Sequence, residues 1–241
     1  MALQAGPAEG DAQQAYVQRL FTRIAPRYDW FNRLASCGLD QGWRRQALRL
    51  GAVEPGMRLL DVCTGTGDLA LLAAAQQQGH GEVVGVDRNG AMLRLAQQKQ
   101  RRDGTAVSWL LGDAQALPFR SGSFDRVVIG FSTRNLSDLM AGLREMVRVL
   151  RPHGKLMILE TGRPAHPIVR AGYQVFLYTV ARAIGLMLTG RAWPFTYLAR
   201  SVRRFLSPAE LLQRLEACST EAVYVPLSLG LASLFLVTKR S

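Results

Sequence analysis

Two hydrophobic periods alternate along the central part of the chain. Short apolar runs at 59–63, 83–86 and 124–131 have the length of strands, and each is followed by residues whose apolar side chains recur every three or four positions, as in an amphipathic helix. Further strands are predicted at 107–111, 155–160, 222–226 and 231–238. Because strand and helix alternate through five strands, the pattern predicts an α/β fold with a mostly parallel sheet and right-handed crossovers. We expect about seven strands, the last of them antiparallel.

Helical patterns precede this core. Residues 11–24 and 42–50 carry apolar side chains at helical spacing, and the aromatic, charged residues 27–32 connect them. This connection is either a packed joint between two helices or a flap over a bound ligand. We treat 11–56 as an N-terminal helical flap of a single domain that covers 11–241.

After the fifth strand the alternation stops, and an apolar segment follows at 168–188. Its polar side chains fall on one row, at Arg170, Gln174, Tyr178 and Arg182. One face of a helix here would therefore be polar. The longest charge-free stretch, 171–181, is far shorter than the roughly 18 residues that a membrane span needs. We expect a helical lid within an insertion at 162–206.

A strand, a tight loop and a helix follow one another at 58–87, which holds Thr64-Gly65-Thr66-Gly67 between its strand and its helix. Glycines there let a ligand approach the backbone, and Asp87, twenty residues after Gly67, is placed to bind ribose hydroxyls. The spacing Gly-x-Gly-x-x-Ala also admits a dinucleotide.

Acidic side chains distinguish a dinucleotide from S-adenosylmethionine as the ligand. Carboxylates stand at the predicted strand ends, at Asp61, Asp68, Asp87 and Asp113. A dinucleotide carries a pyrophosphate, which prefers donors without nearby negative charge. S-adenosylmethionine carries an ammonium and a sulfonium, so this placement favours S-adenosylmethionine.

Composition limits the partners. The chain has 241 residues, 48% of them hydrophobic, and a net charge of +12 from 30 basic and 18 acidic side chains. Such a surface attracts polyanions, and charge alone leaves nucleic acid and anionic lipid both open. Three cysteines without a Cys-x-x-Cys spacing predict neither a disulfide framework nor a metal site. Residues 1–10 lack the features of a secretory signal, so we expect a disordered tail and a cytoplasmic protein.

With these residues placed, the sequence resembles the class I S-adenosylmethionine-dependent methyltransferases, which have a Rossmann-like fold. It resembles more narrowly the ubiquinone/menaquinone biosynthesis C-methyltransferases of the UbiE/MenG type. The segments that carry the resemblance are FTRIAPRYDWFN (21–32), LLDVCTGTGDLA (59–70), GVDRNGAML (85–93), GDAQALPFRSGSFDRVVIGFSTRN (112–135), LREMVRVLRPHGKLMILE (143–160) and YLARSVRRF (197–205). The ending GLASLFLVTK, with Phe235 where the family pattern has His, is closer to the naphthoquinone branch.

The resemblance implies methylation of a ring carbon of a polyprenylated quinol, most simply demethylmenaquinol to menaquinol. S-adenosylmethionine is then the cofactor, S-adenosylhomocysteine its product, and no metal is needed. The alternatives are a benzoquinol precursor of ubiquinone, a phytyl-naphthoquinol or another small aromatic acceptor. Two lower alternatives are a nucleic-acid methyltransferase and an inactive cofactor-binding subunit.

Candidate site residues follow from the motifs and the resemblance together. Cofactor binding is expected at Asp61, Gly65, Thr66, Gly67, Asp87, Arg88, Asp113, Ala114, Gly130 and Phe131. Catalytic roles are expected for Arg134, Asn135, Tyr28 and Asp29, and acceptor binding for Tyr173, Phe176 and Tyr197. Arg134 would stabilise the quinolate oxygen. Its alternative is a structural arginine paired with a carboxylate at a helix end.

A lipophilic quinol as acceptor suggests where the protein works. We hypothesise peripheral contact with anionic lipid at the inner face of the cytoplasmic membrane. A homodimer is left open, and nucleic acid is not expected as a partner.

Overall fold

Seven strands form one sheet in the computed structural model, which describes residues 9–189, 201–203, 205–218 and 220–240. The strands are β1 (Arg58–Val62), β2 (Glu82–Asp87), β3 (Ser108–Leu111), β4 (Phe124–Gly130), β5 (Leu150–Thr161), β6 (Thr220–Leu227) and β7 (Ala232–Lys239). Their order across the sheet is β3-β2-β1-β4-β5-β7-β6.

The first five strands run parallel, and β7 runs antiparallel to both of its neighbours, β5 and β6. The α/β fold with a mostly parallel seven-stranded sheet and an antiparallel last strand is therefore confirmed. The strand order reverses between β1 and β4. In open α/β sheets a ligand crevice lies at such a switch point, outside the carboxyl ends of the strands.

Helices cover both faces of the sheet. They are α1 (Glu9–Ile24), α2 (Tyr28–Ala35), α3 (Leu39–Leu50), α4 (Asp68–Gln76), α5 (Gly90–Asp103), α6 (Leu139–Val149), α7 (Pro167–Tyr178), α8 (Val180–Thr189) and α9 (Pro208–Glu216). The core on one face contains Phe124 of β4, Met146 of α6 and Leu211 of α9. The core on the other face contains Met157 of β5, Leu48 of α3 and Ala70 of α4. This double cover explains why the central strands are almost continuously apolar.

Local predictions for the N-terminal part of the chain differ from the structure. Residues 27–32, expected as a connection, lie in a 3₁₀ turn (Ala25–Arg27) and in helix α2. Helix α1 begins at Glu9, two residues before the expected boundary of the tail. Residues 1–8 lie outside the described part of the chain.

The apolar segment at 168–188 is two helices, not one. The break falls at Thr179, where the backbone leaves ideal helical geometry with φ −110° and ψ −71°. The Thr179 hydroxyl donates a 2.6 Å hydrogen bond to the carbonyl oxygen of Val175. A threonine bonded four residues back bends helices, so this bond favours the break between α7 and α8.

Candidate functional site

An acidic cavity of about 100 Å³ lies at the carboxyl ends of β1, β2 and β4. The expected cofactor residues that line it are Asp61, Gly65, Thr66, Asp87, Arg88, Asp113, Ala114 and Gly130. Asp68 lines it as well. The structure therefore brings the strand-end carboxylates together around one space.

The glycine loop, residues 64–67, is fastened to both neighbouring strand ends. The amide of Gly65 donates a 2.8 Å hydrogen bond to Oδ2 of Asp87, and the hydroxyl of Thr64 donates a 2.6 Å bond to Oδ2 of Asp61. Burial raises the pKa of Asp87, although backbone amides of Asn89, Gly65 and Arg88 act to lower it. These bonds fix the loop before any ligand arrives.

Asp61 is the most buried carboxylate of the acidic cavity, with 1% of its surface exposed. It also accepts a 3.1 Å hydrogen bond from the amide of Ala70, so it joins β1 to the start of α4. Burial raises the pKa of Asp61 to about 7, despite the bond from Thr64. A nearby cation would favour its ionised form.

The two loop glycines have different roles. At Gly65, with φ +57°, a side chain would find open space, and the residue lines the acidic cavity. At Gly67, with φ +84°, a Cβ atom would lie 2.6 Å from the Trp109 ring and 2.9 Å from Ala96. We predicted that both glycines admit the ligand; at Gly67 the absence of a side chain also allows α4 to pack against the strand and helix behind it.

A larger, apolar cavity of about 430 Å³ adjoins the acidic one. Its walls come from α1, α2, α3 and α7 and from the segments after β4 and β5. Apolar side chains line most of it: Leu20, Phe21, Ile24, Phe31, Ala35, Leu39, Trp43, Phe131, Val169, Phe176 and Leu231. Polar groups from Tyr28, Arg44, Arg134, Asn135 and Tyr173 are also among its walls.

Four side chains line both cavities, namely Phe21, Tyr28, Arg44 and Asn135. A ligand in the acidic cavity and a ligand in the apolar cavity would therefore meet at this common wall. An arrangement of this kind places a polar ligand and a lipophilic ligand next to each other.

The sequence comparisons identify the family. The model of the ubiE/COQ5 methyltransferase family matches residues 9–239. The chain belongs to this family. A demethylmenaquinone methyltransferase of Deinococcus radiodurans is 39% identical over 236 residues, covering 97% of this chain and 98% of that protein. A relative of the same name in Thermus thermophilus is 40% identical over 215 residues, covering 89% and 97%.

Solved structures agree on the fold. The magnesium protoporphyrin IX methyltransferase of Synechocystis superposes with a TM-score of 0.64 at 16% identity, covering 94% of this chain and 99% of that one. At this identity the likeness concerns the fold alone. It confirms the Rossmann-like methyltransferase architecture.

The expected acceptor residues of this family member lie in the apolar cavity where the structure describes them. Tyr173 and Phe176 of α7 line it, and Tyr197 lies outside the described residues. Phe131, expected at the cofactor, lines the apolar cavity instead. It follows β4 with a positive φ of 57°, and its ring centre lies 6.3 Å from that of Trp43.

The expected catalytic residues separate into two groups. Arg134, Asn135 and Tyr28 line the apolar cavity. Asp29 faces the glycine loop: its carboxylate accepts hydrogen bonds from the Thr66 hydroxyl at 2.6 Å and from Lys99 Nζ at 2.9 Å. Asp29 therefore holds the flap to the loop.

Arg134 forms an ion pair with Glu160, near the end of β5. We considered a carboxylate at a helix end as its structural partner, and the partner is instead a strand-end carboxylate. The guanidinium still lines the apolar cavity, so the pairing and a role at the acceptor are compatible.

Sequence reasoning missed Arg44, Lys99 and Glu160. Arg44 is buried, pairs with Asp40 at 2.5 Å and lies 5.3 Å above the ring of Phe131. Only the Asp-x-x-x-Arg spacing, typical of an ion pair on one helix face, could have indicated it. Lys99 and Glu160 have partners far along the chain and carry no comparable signal.

Proposed function

We propose that the protein transfers a methyl group from S-adenosylmethionine to a ring carbon of a lipophilic quinol, most simply demethylmenaquinol to menaquinol. The observation that carries this proposal is the common wall between an acidic cavity and a larger apolar one. The names of the most similar relatives reported above support a naphthoquinol as the acceptor.

The acidic cavity fits S-adenosylmethionine by the chemistry of its lining groups. Asp87 would accept the ribose hydroxyls, and Asp113 with Ala114 would face the adenine edge. Asp61 and Asp68 provide negative charge for the ammonium end. The cofactor supplies an electrophilic methyl group on a sulfonium.

The apolar cavity would hold the quinol ring and the first part of its tail. Arg134 stabilises the oxygen of the ionised quinol, and Asn135 orients the ring. Tyr28 relays the hydroxyl proton by taking it up as its own proton passes to water. The ring carbon then bonds to the methyl group as the bond from sulfur breaks, S-adenosylhomocysteine leaves, and the ring proton is lost to water. Burial raises the pKa of Tyr28, which keeps its phenol protonated and able to donate. The walls contribute most by holding both reactants at attack distance.

Label transfer tests the proposal. Methyl-labelled S-adenosylmethionine is offered with reduced demethylmenaquinone, a reduced benzoquinone precursor and RNA, and label is expected in the naphthoquinol. Arg134→Ala should lose turnover and keep cofactor binding, whereas Asp87→Ala should lose cofactor binding. Full turnover by Arg134→Ala, or label in RNA alone, would contradict it.

We further propose that the lid helices α7 and α8, together with α2, rest on anionic lipid. Each of these helices has an exposed apolar side chain: Val175 of α7 is 62% exposed, Met187 of α8 77% and Trp30 of α2 66%. Between Glu160 and Glu210 the sequence has seven arginines and no acidic residue. Exposed apolar side chains in a part of the sequence with excess positive charge match an anionic membrane surface.

Among the described residues, no helix is long and apolar enough to span a bilayer. Vesicle sedimentation tests surface contact. Val175→Gln should lower binding to vesicles that contain phosphatidylglycerol, and added salt should lower it further. Val223→Gln on β6 is the matched control, because Val223 is also 62% exposed. Equal loss in both variants, or an apolar face covered by a second copy of the chain, would contradict a lipid partner.

A further inference from the structure

Glu160 is a buried carboxylate beside the proposed acceptor site, with 1% of its surface exposed. Its Oε1 atom accepts hydrogen bonds from Arg134 Nη1 and, at 2.7 Å, from the amide of Thr161. Its Oε2 atom accepts a 2.7 Å bond from the hydroxyl of Thr133 and a longer one from the amide of Arg134. Donors therefore surround both oxygens, and the carboxylate is held in one orientation.

Arg134 is held from one side only. Its side chain is 7% exposed, and its Nη1 atom points to Glu160. Its buried Nε atom has no hydrogen-bond partner within the described part of the chain. A buried donor without an acceptor is unfavourable, and Arg134 lines the apolar cavity, so a ligand oxygen there would supply the missing acceptor. Glu160 thus binds one edge of the guanidinium and leaves another edge for the acceptor.

The pair also sets the charge of the apolar cavity. A lone guanidinium in an apolar wall would be costly, and the carboxylate compensates it. The other titratable or charged groups in this wall include Tyr173 from α7, Tyr28 from α2, and Arg44 with Asp40 from α3. Arg44 and Asp40 pair at 2.5 Å, so their charges offset each other. Burial raises the pKa of both tyrosines above the usual value, so they stay neutral. The resting wall is therefore close to neutral, as a neutral quinol requires.

We propose that Glu160 is the positioning residue of this site: it orients Arg134 toward the acceptor oxygen and balances its charge until the acceptor ionises. The proposal rests on the methyl transfer proposed above. Glu160 itself does not touch the acceptor, because its oxygens are already occupied by protein donors.

Glu160→Gln tests this role, because the amide has nearly the same shape as the carboxylate but carries no charge. Its NH₂ group also replaces one of the two oxygens that accept hydrogen bonds from protein donors. We expect kcat to fall at least about tenfold, the loss of one charged hydrogen bond. The KM for S-adenosylmethionine should stay unchanged. The acid limb of the pH profile of kcat should move to lower pH. The reason is that a guanidinium without its carboxylate partner lowers the pKa of the bound quinol. Glu160→Asp should restore the position of the limb.

Glu145→Gln is the matched control. It removes the carboxylate that pairs with Arg148 at 2.6 Å, away from both cavities, and should keep kcat and the pH profile. Should Glu160→Gln fail to fold, Thr133→Val removes one bond to the same carboxylate and keeps its charge. That variant should lower kcat and leave the acid limb in place. A Glu160→Gln enzyme with normal kcat, or with low kcat and an unmoved limb, would overturn the proposal.

A second readout does not depend on the acceptor. The Nε–H signal of Arg134 in a ¹⁵N spectrum, identified by its loss in Arg134→Lys, should be protected from exchange in the natural protein. It should stay in Glu145→Gln and vanish or broaden in Glu160→Gln. An unaffected signal would contradict the positioning role even if the quinol proved to be the wrong substrate. Normal positioning signals without methyl transfer would instead count against the proposed function alone.

Discussion

The hydroxyl of Thr66 lies 2.6 Å from Oδ1 of Asp29, so the glycine loop and helix α2 are joined by residues 37 positions apart. Lys99 of α5 strengthens this joint, because its Nζ atom lies 2.9 Å from Asp29 and 2.5 Å from Asp68. The pKa of Asp68 lies below its usual value. Burial acts to raise this pKa, but the positive charges of Lys99 and Arg44 lower it by more. The flap, the loop and the start of α4 are thereby held together.

Lys99→Met should loosen this joint. We expect the Kd for S-adenosylmethionine to rise about three- to tenfold, since hydrogen bonds to a charged group are lost at the edge of the cavity. Calorimetric titration measures the change. Arg151→Met is the control, because it removes an exposed ion pair with Asp125 on the amino-terminal side of the sheet. An equal effect in both variants would show that Lys99 has no special link to the cofactor.

Asp87→Ala should weaken cofactor binding by about a hundredfold, because the Gly65 amide and, in the site we propose, the ribose hydroxyls both lose their acceptor. Titration with S-adenosylhomocysteine gives the affinity without turnover. Asp103→Ala, at the exposed end of α5, removes the same charge and should bind normally. Unchanged affinity in Asp87→Ala would exclude Asp87 from the cofactor site.

The raised pKa of Asp61 predicts how the free energy of unfolding depends on pH. Its pKa is raised by burial from 3.8 to about 7, so the folded protein binds a proton that the unfolded chain releases between these values. The free energy of unfolding should therefore fall as pH rises from about 4 to 7, by about 1.4 kcal/mol for each unit of pKa difference.

Asp61→Asn mimics the protonated carboxyl and should remove this dependence. The Tm of the variant relative to the natural protein should rise with pH across the same window. Thermal unfolding at pH 5, 6, 7 and 8 measures it, with Asp103→Asn as a control for charge. A constant difference across the series would mean that Asp61 does not titrate there.

Gly67→Ala tests the packing role of the second loop glycine. The new methyl group would meet Trp109 and Ala96 and also sit at φ +84°. Gly104→Ala is a suitable control, because Gly104 has φ +69° and open space around it. We expect about 1 kcal/mol of destabilisation at Gly104 and about 2–4 kcal/mol at Gly67. Urea unfolding would reveal equal losses if strain in the backbone were the whole effect.

Much of the fold could be predicted because it depends on local patterns. Strand length, helical spacing and the Thr64–Gly67 turn are properties of neighbouring residues. The break at Thr179 was missed, since neither Pro nor Gly marks it in the sequence. Phe131 was expected at the cofactor and lines the apolar cavity, beside Trp43 and Arg44 of α3, which are distant in sequence.

The sequence by itself determined the sheet, the glycine loop and the acids at the strand ends, and the ubiE/COQ5 motifs determined the family. Only the tertiary structure decided what these groups do to one another. Glu160 meets Arg134 from 26 positions away, and Asp29 meets Thr66 from 37. Such pairs form because parallel strands end at one edge and the flap folds over it. No spacing within a single segment encodes that meeting.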